Sequence, residues 1–120
     1  MASFRFEELE IWKVGSEIGE DLFVIAEMLN EKRKYRFSEQ LYGAAMSITN
    51  NIAEGSGSFS KKDFANFLNI SRRSVFECAN ILCILERSNY ISSEIKDQLF
   101  NRLQILSKMI TNFRKSLIKA

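Results

Sequence analysis

An all-α fold, an up-down-up-down antiparallel four-helix bundle, is what this sequence predicts, on three observations. Apolar residues recur at intervals of three and four in four successive stretches, three short connectors separate those stretches, and 120 residues include no proline and only five glycines. Spacing of three and four stacks side chains on one face of an α-helix, and short connectors force neighbouring helices to run antiparallel. The expected helices are about 7–29, 37–55, 60–87 and 93–117, in one domain spanning residues 1–120. A chain of this length buries roughly 60–70% of its unfolded surface around a single core.

The first helix carries the seam Ile11, Gly15, Ile18, Leu22, Ile25 and Leu29, with Glu7, Glu8 and Glu10 at its positive N-terminal end. Trp12 and Phe23 flank that seam as large core anchors. Gly15 and Gly19 each cost about 1 kcal/mol of helix propensity relative to alanine, a loss that close packing against a neighbour offsets. The connector Asn30 to Arg36 joins a helix-stopping asparagine to four bases.

The second helix is the organising element because it carries three stripes. Phe37, Leu41, Ala45, Ile48 and Ile52 form the core seam. About 100° around lies a polar stripe of Gln40, Ala44, Ser47, Asn51 and Glu54, and beyond it a second apolar surface of Tyr35, Tyr42, Met46 and Ala53. A helix apolar on two sides is buried on two sides, so the Tyr35, Tyr42, Met46 and Ala53 face is a candidate oligomer interface. Gly55 is placed to close the helix in the left-handed conformation, and the run GSGSFS makes the turn.

Ser60 and Asp63 resemble a capping box opening the third helix. That helix has two interleaved seams: Phe64, Leu68, Ser71, Val75, Cys78, Leu82 and Leu85, and beside them Phe67, Ile70, Ser74, Glu77, Ile81 and Ile84. A hairpin turning near Gly57 sets Gln40 opposite Ser74 to Glu77 and Ser47 opposite Leu68 to Ser71, so the polar stripes of the two helices meet. Such a layer fixes register and partner choice when its hydrogen bonds are satisfied. Residues 88–93 make the last turn, Ser92 or Ser93 caps the fourth helix, and Ile95, Leu99, Leu103, Leu106, Ile110, Phe113 and Leu117 form its seam. Lys108, Arg114, Lys115 and Lys119 suit its negative C-terminal end.

Residue inventory excludes much chemistry. Without histidine there is no ordinary zinc site, no Glu-x-x-His di-iron bundle and no His-dependent hydrolase or nuclease. Glu54 and Glu77 are the only carboxylates on the polar stripes, and nothing pairs them for catalysis. No enzyme activity and no cofactor are expected. Cys78 and Cys83, about 7.5 Å apart along one helix and pointing in different directions, are reduced core residues and not a bridge. The longest apolar runs, such as Ile81 to Leu85, are too short to span a bilayer, and no signal-like segment opens the chain, so a cytoplasmic protein without membrane contact is expected.

The formal charge of +2 is unevenly spread. Residues 7–31 hold eight acids and one base, whereas residues 32–120 hold fifteen bases and seven acids. That asymmetry suits faces solvated separately, complementary packing within a bundle or between subunits, or a basic surface for a polyanion. Lys32, Arg33, Lys34, Arg36, Lys61, Lys62, Arg72 and Arg73 are the candidate phosphate contacts. No aromatic residues interleave with them in the manner of single-strand platforms.

Several segments resemble a family of small bacterial four-helix bundles associated with intervening sequences of large-subunit ribosomal RNA genes. They are Phe6-Glu-Glu-Leu9-Glu-Ile11-Trp12-Lys13, Gln40-Leu41, Ser47-Ile48, Asn51-Ile52-Ala53-Glu54-Gly55, and Phe67-Leu68, Ile70, Arg72, Ser74 and Glu77. The resemblance implies a homopentamer and no established enzymatic activity. It also implies relatives that serve diversity-generating retroelements by binding nucleic acid, RNA or DNA, together with a reverse transcriptase. Tyr42-Gly43 stands where the family usually has paired arginines, Arg73 replaces a usual glycine and Thr49 a usual proline. The missing basic pair weakens the transfer of nucleic-acid binding, while Lys61, Lys62, Arg72 and Arg73 keep a basic surface nearby.

Overall fold

The computed structural model describes residues 3–119: a 3-10 turn at Arg5–Glu8, then α1 (Glu10–Glu31), α2 (Tyr35–Ser56), α3 (Lys61–Arg87) and α4 (Ser93–Ile118). No strand occurs among the described residues. Packing follows chain order, α1 on α2, α2 on α3 and α3 on α4, and α4 returns to α1 along the sparsest of the four seams. The result is a four-helix bundle 47 Å long.

Most of the predicted seams form the core, but Ile70, Glu77 and Ile84 of the second α3 seam and Ile95 of α4 are exposed. Leu22, Leu29, Leu41, Ile52, Leu68, Leu82, Leu85, Leu106 and Ile110 are fully buried, each contributing about 1.5–3 kcal/mol through removal from water. Trp12 and Phe23 pack on this core from its margin. Gly15 meets the neighbour its cost requires, since an added Cβ would lie 3.4 Å from both Ile48 and Thr49 of α2. Gly19 has no such neighbour: the nearest atoms belong to Phe23 of its own helix.

The first helix begins later than its sequence suggests. Leu9 is extended (φ −80°, ψ 127°), so Glu7 and Glu8 lie in the 3-10 turn, and only Glu10 sits in the first turn of α1. The break folds the preceding aromatics back, setting Phe6 edge-on to Trp12 with ring centroids 5.1 Å apart. Apolar contact at the end of the chain outweighs continued helix.

The first and third helices close with one shared geometry. Asn30 does not stop α1; the left-handed residue is Arg33 (φ 62°). The Lys34 N–H donates to the Leu29 carbonyl (2.8 Å) and the Arg33 N–H to the Asn30 carbonyl (3.0 Å), the paired bonds of a Schellman ending. α3 ends identically, with Asn89 left-handed (φ 63°), Tyr90 N–H to Leu85 O (2.9 Å) and Asn89 N–H to Glu86 O (3.0 Å). The tight first ending lets α2 begin at Tyr35, two residues before the expected start.

Gly55 does not take the left-handed role assigned to it. No glycine has positive φ, and Gly55 lies inside α2 against α3, where a Cβ would come within 2.7 Å of Phe67 Cβ and 2.8 Å of Phe64 Cδ1. Its missing side chain permits close approach of the helices. The N-caps hold as expected: Ser60 Oγ accepts from Asp63 N–H (3.0 Å) and Ser92 Oγ from Ile95 N–H (3.2 Å).

Candidate nucleic-acid interface

The eight candidate phosphate contacts do not form one patch. Lys32, Arg33, Lys34 and Arg36 are exposed around the α1–α2 connector, beside the α3–α4 turn, where Lys34 Nζ lies 5.6 Å from the Tyr90 ring. Lys61 and Lys62 open α3 at the opposite end. The 27 residues of α3 rise about 40 Å from one end to the other. Arg72 and Arg73 lie between the groups and point differently: Arg73 shares an outer, exposed stripe with Lys62, while Arg72 is half-buried against α4.

Structure brings a second set of cations to Arg72. From Leu99 to its end at Ile118, α4 holds Arg102, Lys108, Arg114 and Lys115 and no acid, and Lys119 follows it. Because α4 runs antiparallel to α3, its C-terminal half meets the basic N-terminal half of α3. The register is set by Arg114, whose Nε donates to the Ala65 carbonyl (3.1 Å), and by the edge-on Phe64–Phe113 pair, 5.5 Å apart. Lys108 and Lys115 follow one stripe of α4, Lys61 and Arg72 one stripe of α3, and the two stripes flank the same groove, while Lys119 lies in extended backbone past the end of α4. Charge on α4 that complements its helix dipole therefore also builds a basic groove.

Arg72 and Lys108 line a cavity of about 400 Å³ between these helices, together with Val75, Phe76, Ala79, Phe100, Leu103, Gln104 and Ser107. The Arg72 guanidinium lies 4.9 Å from the Phe76 ring centroid, and its Nε is buried without a hydrogen-bond partner among the described residues. Phe76 is 55% exposed. Aromatics do interleave with the bases, contrary to expectation. Phe76 lies one turn from Arg72 on α3, and folding brings Phe100 and Lys108 of α4 beside them.

The polar stripes of α2 and α3 meet, one turn away from the expected register. Ser47 and Ser74 hydroxyls are 2.7 Å apart, Asn51 Nδ2 donates to the Ser47 carbonyl (2.7 Å) and to Ser47 Oγ (3.0 Å), and the buried Ser71 donates to the Ile48 carbonyl (2.8 Å). Ser47 thus faces Ser71 to Ser74, and the same register carries Gln40 past Glu77 towards Asn80. The connector residues Gly57 to Ser60 move the pivot of the hairpin beyond Gly57. Gln40, Glu54 and Glu77 are exposed and take no part in this cluster, which is a register device with its hydroxyls paired.

On the α2 surface Tyr35 and Tyr42 are about half exposed, and Met46 and Ala53 are intermediate. The Tyr42 ring rests on Phe23 of α1 (centroids 4.8 Å). Charge complementarity within the bundle appears once across the sparse seam, in the Asp21–Arg102 ion pair linking α1 to α4. Both cysteines are free; burial, reinforced by Glu77, pushes the Cys78 thiol up to about 12. Among the described residues no cluster of three or more Cys, Asp and Glu side chains forms a metal site, and no helix is long and apolar enough to cross a membrane.

Comparison with solved structures finds a crystal structure of a protein of unknown function from the S23 ribosomal protein family of Bacteroides thetaiotaomicron. The two are 25% identical and superpose with a TM-score of 0.82 over 88% of this chain and 98% of the other. No curated protein matches significantly. The sequence model of the 23S rRNA-intervening sequence proteins matches residues 7–112, from the 3-10 turn deep into α4. The chain belongs to the 23S rRNA-intervening sequence protein family.

Proposed function

We propose that this protein is a non-enzymatic, oligomeric bundle that holds nucleic acid along the groove between α3 and α4, as an adaptor for RNA or DNA and the enzymes that act on it. The observation that carries the reading is the acid-free C-terminal half of α4, whose Lys108 lines the same groove as Arg72 of α3 and whose Lys115 continues the same helical stripe. Four cations on two walls, Lys108 and Lys115 on α4 and Lys61 and Arg72 on α3, match a phosphate backbone better than an isolated anion, and the family takes its name from an intervening sequence of 23S rRNA. Lys62 and Arg73 widen the basic surface, and Lys32, Arg33, Lys34 and Arg36 offer a separate contact at the far end.

The test is RNA affinity of the purified protein across a salt series. Four phosphate contacts on a single strand give a log–log slope near −2.8, about a fiftyfold loss between 50 and 200 mM salt. The K108A/K115A double variant flattens that slope by about 1.4. Absence of binding even at low salt refutes the proposal.

A second reading is favoured by the half-exposed Tyr35 and Tyr42: a structural oligomer assembled through the α2 face of Tyr35, Tyr42, Met46 and Ala53, with no nucleic acid. The two readings separate cleanly, since the α2 face and the α3–α4 groove lie on different sides of the bundle.

A further inference from the structure

We propose that the cavity between α3 and α4 receives one unstacked base of a single-stranded nucleic acid, with the adjoining phosphates held by Arg72 and Lys108. This rests on reading the groove as a nucleic-acid interface and adds which form of nucleic acid it takes. The cavity, about 400 Å³, falls in the range of small-ligand pockets, and its walls are mainly apolar and aromatic with few polar groups, as such sites require. A base has two apolar faces and a polar edge. Phe76 and Phe100 offer ring surfaces to the faces, while the Gln104 amide and Ser107 hydroxyl offer donors and acceptors to the edge.

Charge decides the occupant. The lining is cationic through Arg72 and Lys108, the α4 wall has no acid from Leu99 onward, and the Arg72 Nε is a buried donor lacking an acceptor among the described residues. A buried N–H without a partner is a standing cost that an incoming phosphate or base carbonyl oxygen removes. In a duplex the bases stay stacked and paired and do not enter such a pocket; a single strand turns one out easily. Because the cations continue along the groove towards Lys61 and Lys115, the strand has a path on leaving the pocket.

The experiment compares two labelled strands of equal length and charge by fluorescence anisotropy at one low salt concentration: an oligouridylate and its fully abasic counterpart. The oligouridylate is expected to bind about tenfold or more tightly than the abasic strand, the worth of one stacked base. Two variants close the pocket differently: Phe76→Ala removes an exposed ring, and Ala79→Met fills the cavity from a half-buried wall position. Each brings the two affinities together. Melting curves identify any variant that fails to fold, and the other then carries the test. Equal binding of both strands by the parent protein, or a preference that survives both variants, overturns the base pocket and leaves the basic groove standing. Failure of both strands to bind overturns the groove reading and the pocket with it.

Discussion

Gly55→Ala sets the close approach of α2 and α3 against helix propensity. In isolation the change favours helix by up to about 1 kcal/mol. In the fold the new Cβ would sit 2.7 Å from Phe67 Cβ, 2.8 Å from Phe64 Cδ1 and 3.2 Å from Phe64 Cε1, where carbon atoms prefer roughly 3.5–4.0 Å. Phe67 Cβ is fixed to the α3 backbone, so relief there means moving the helix. Phe64 is 2% exposed and locked edge-on to Phe113, so relief there means disturbing the core. Overpacking of this kind costs about 1–3 kcal/mol, so the net expectation is a loss of up to about 2 kcal/mol. For a chain of this size that lowers Tm by up to roughly 8 °C. Gly43→Ala is the control within the same helix: nothing lies within 4 Å of its added Cβ, so propensity acts alone and Tm rises by about 4 °C. Circular dichroism melts at matched protein concentration read both signs. A Gly55→Ala variant that melts at or above the parent temperature refutes the packing argument.

Three further outcomes are expected. Arg33→Gly relieves a left-handed arginine at the end of α1 and raises stability by about 0.5–1 kcal/mol in urea unfolding; a decrease means the arginine side chain contributes more than its backbone strain costs. Cys78, its thiol raised to about 12 by burial, stays protonated and reacts with a thiol reagent at pH 8 only when the protein unfolds, whereas Cys83 reacts in the native state. Rapid native labelling of both contradicts this. Tyr42→Glu places a charge on the α2 face and, if that face joins subunits, reduces the mass seen by light scattering to that of one chain; an unchanged mass removes the second functional reading.

The helices were legible because their seams are long and regular: Leu41 to Ile52 and Leu99 to Ile110 can be apolar on one side only if that side is covered. Local signals with two meanings were harder. A glycine near a helix end marks either a left-handed closure or a close crossing, and sequence does not separate the two for Gly55. Arg33 carries no left-handed signature, so the end of α1 was invisible. Register slipped by one turn because the hairpin pivot depends on connector geometry that periodicity does not contain. The groove was the least legible feature: Phe76 and Phe100 fall outside the core seams, and Lys108 and Lys115 already had an explanation at the α4 terminus. Their meeting is a product of antiparallel register, which single-helix patterns do not record.

The sparse contact between α1 and α4 bears on how the chain comes together and comes apart. Every extensive helix pairing joins neighbours in sequence, so assembly proceeds as a zipper from nearby loops, with little entropy spent on distant closure. Only the last seam asks the two ends of the chain to find each other, with Asp21 and Arg102 as the clasp. Breathing of the native protein will therefore begin there, and backbone amides bordering that seam will exchange with solvent before those along the α2–α3 spine.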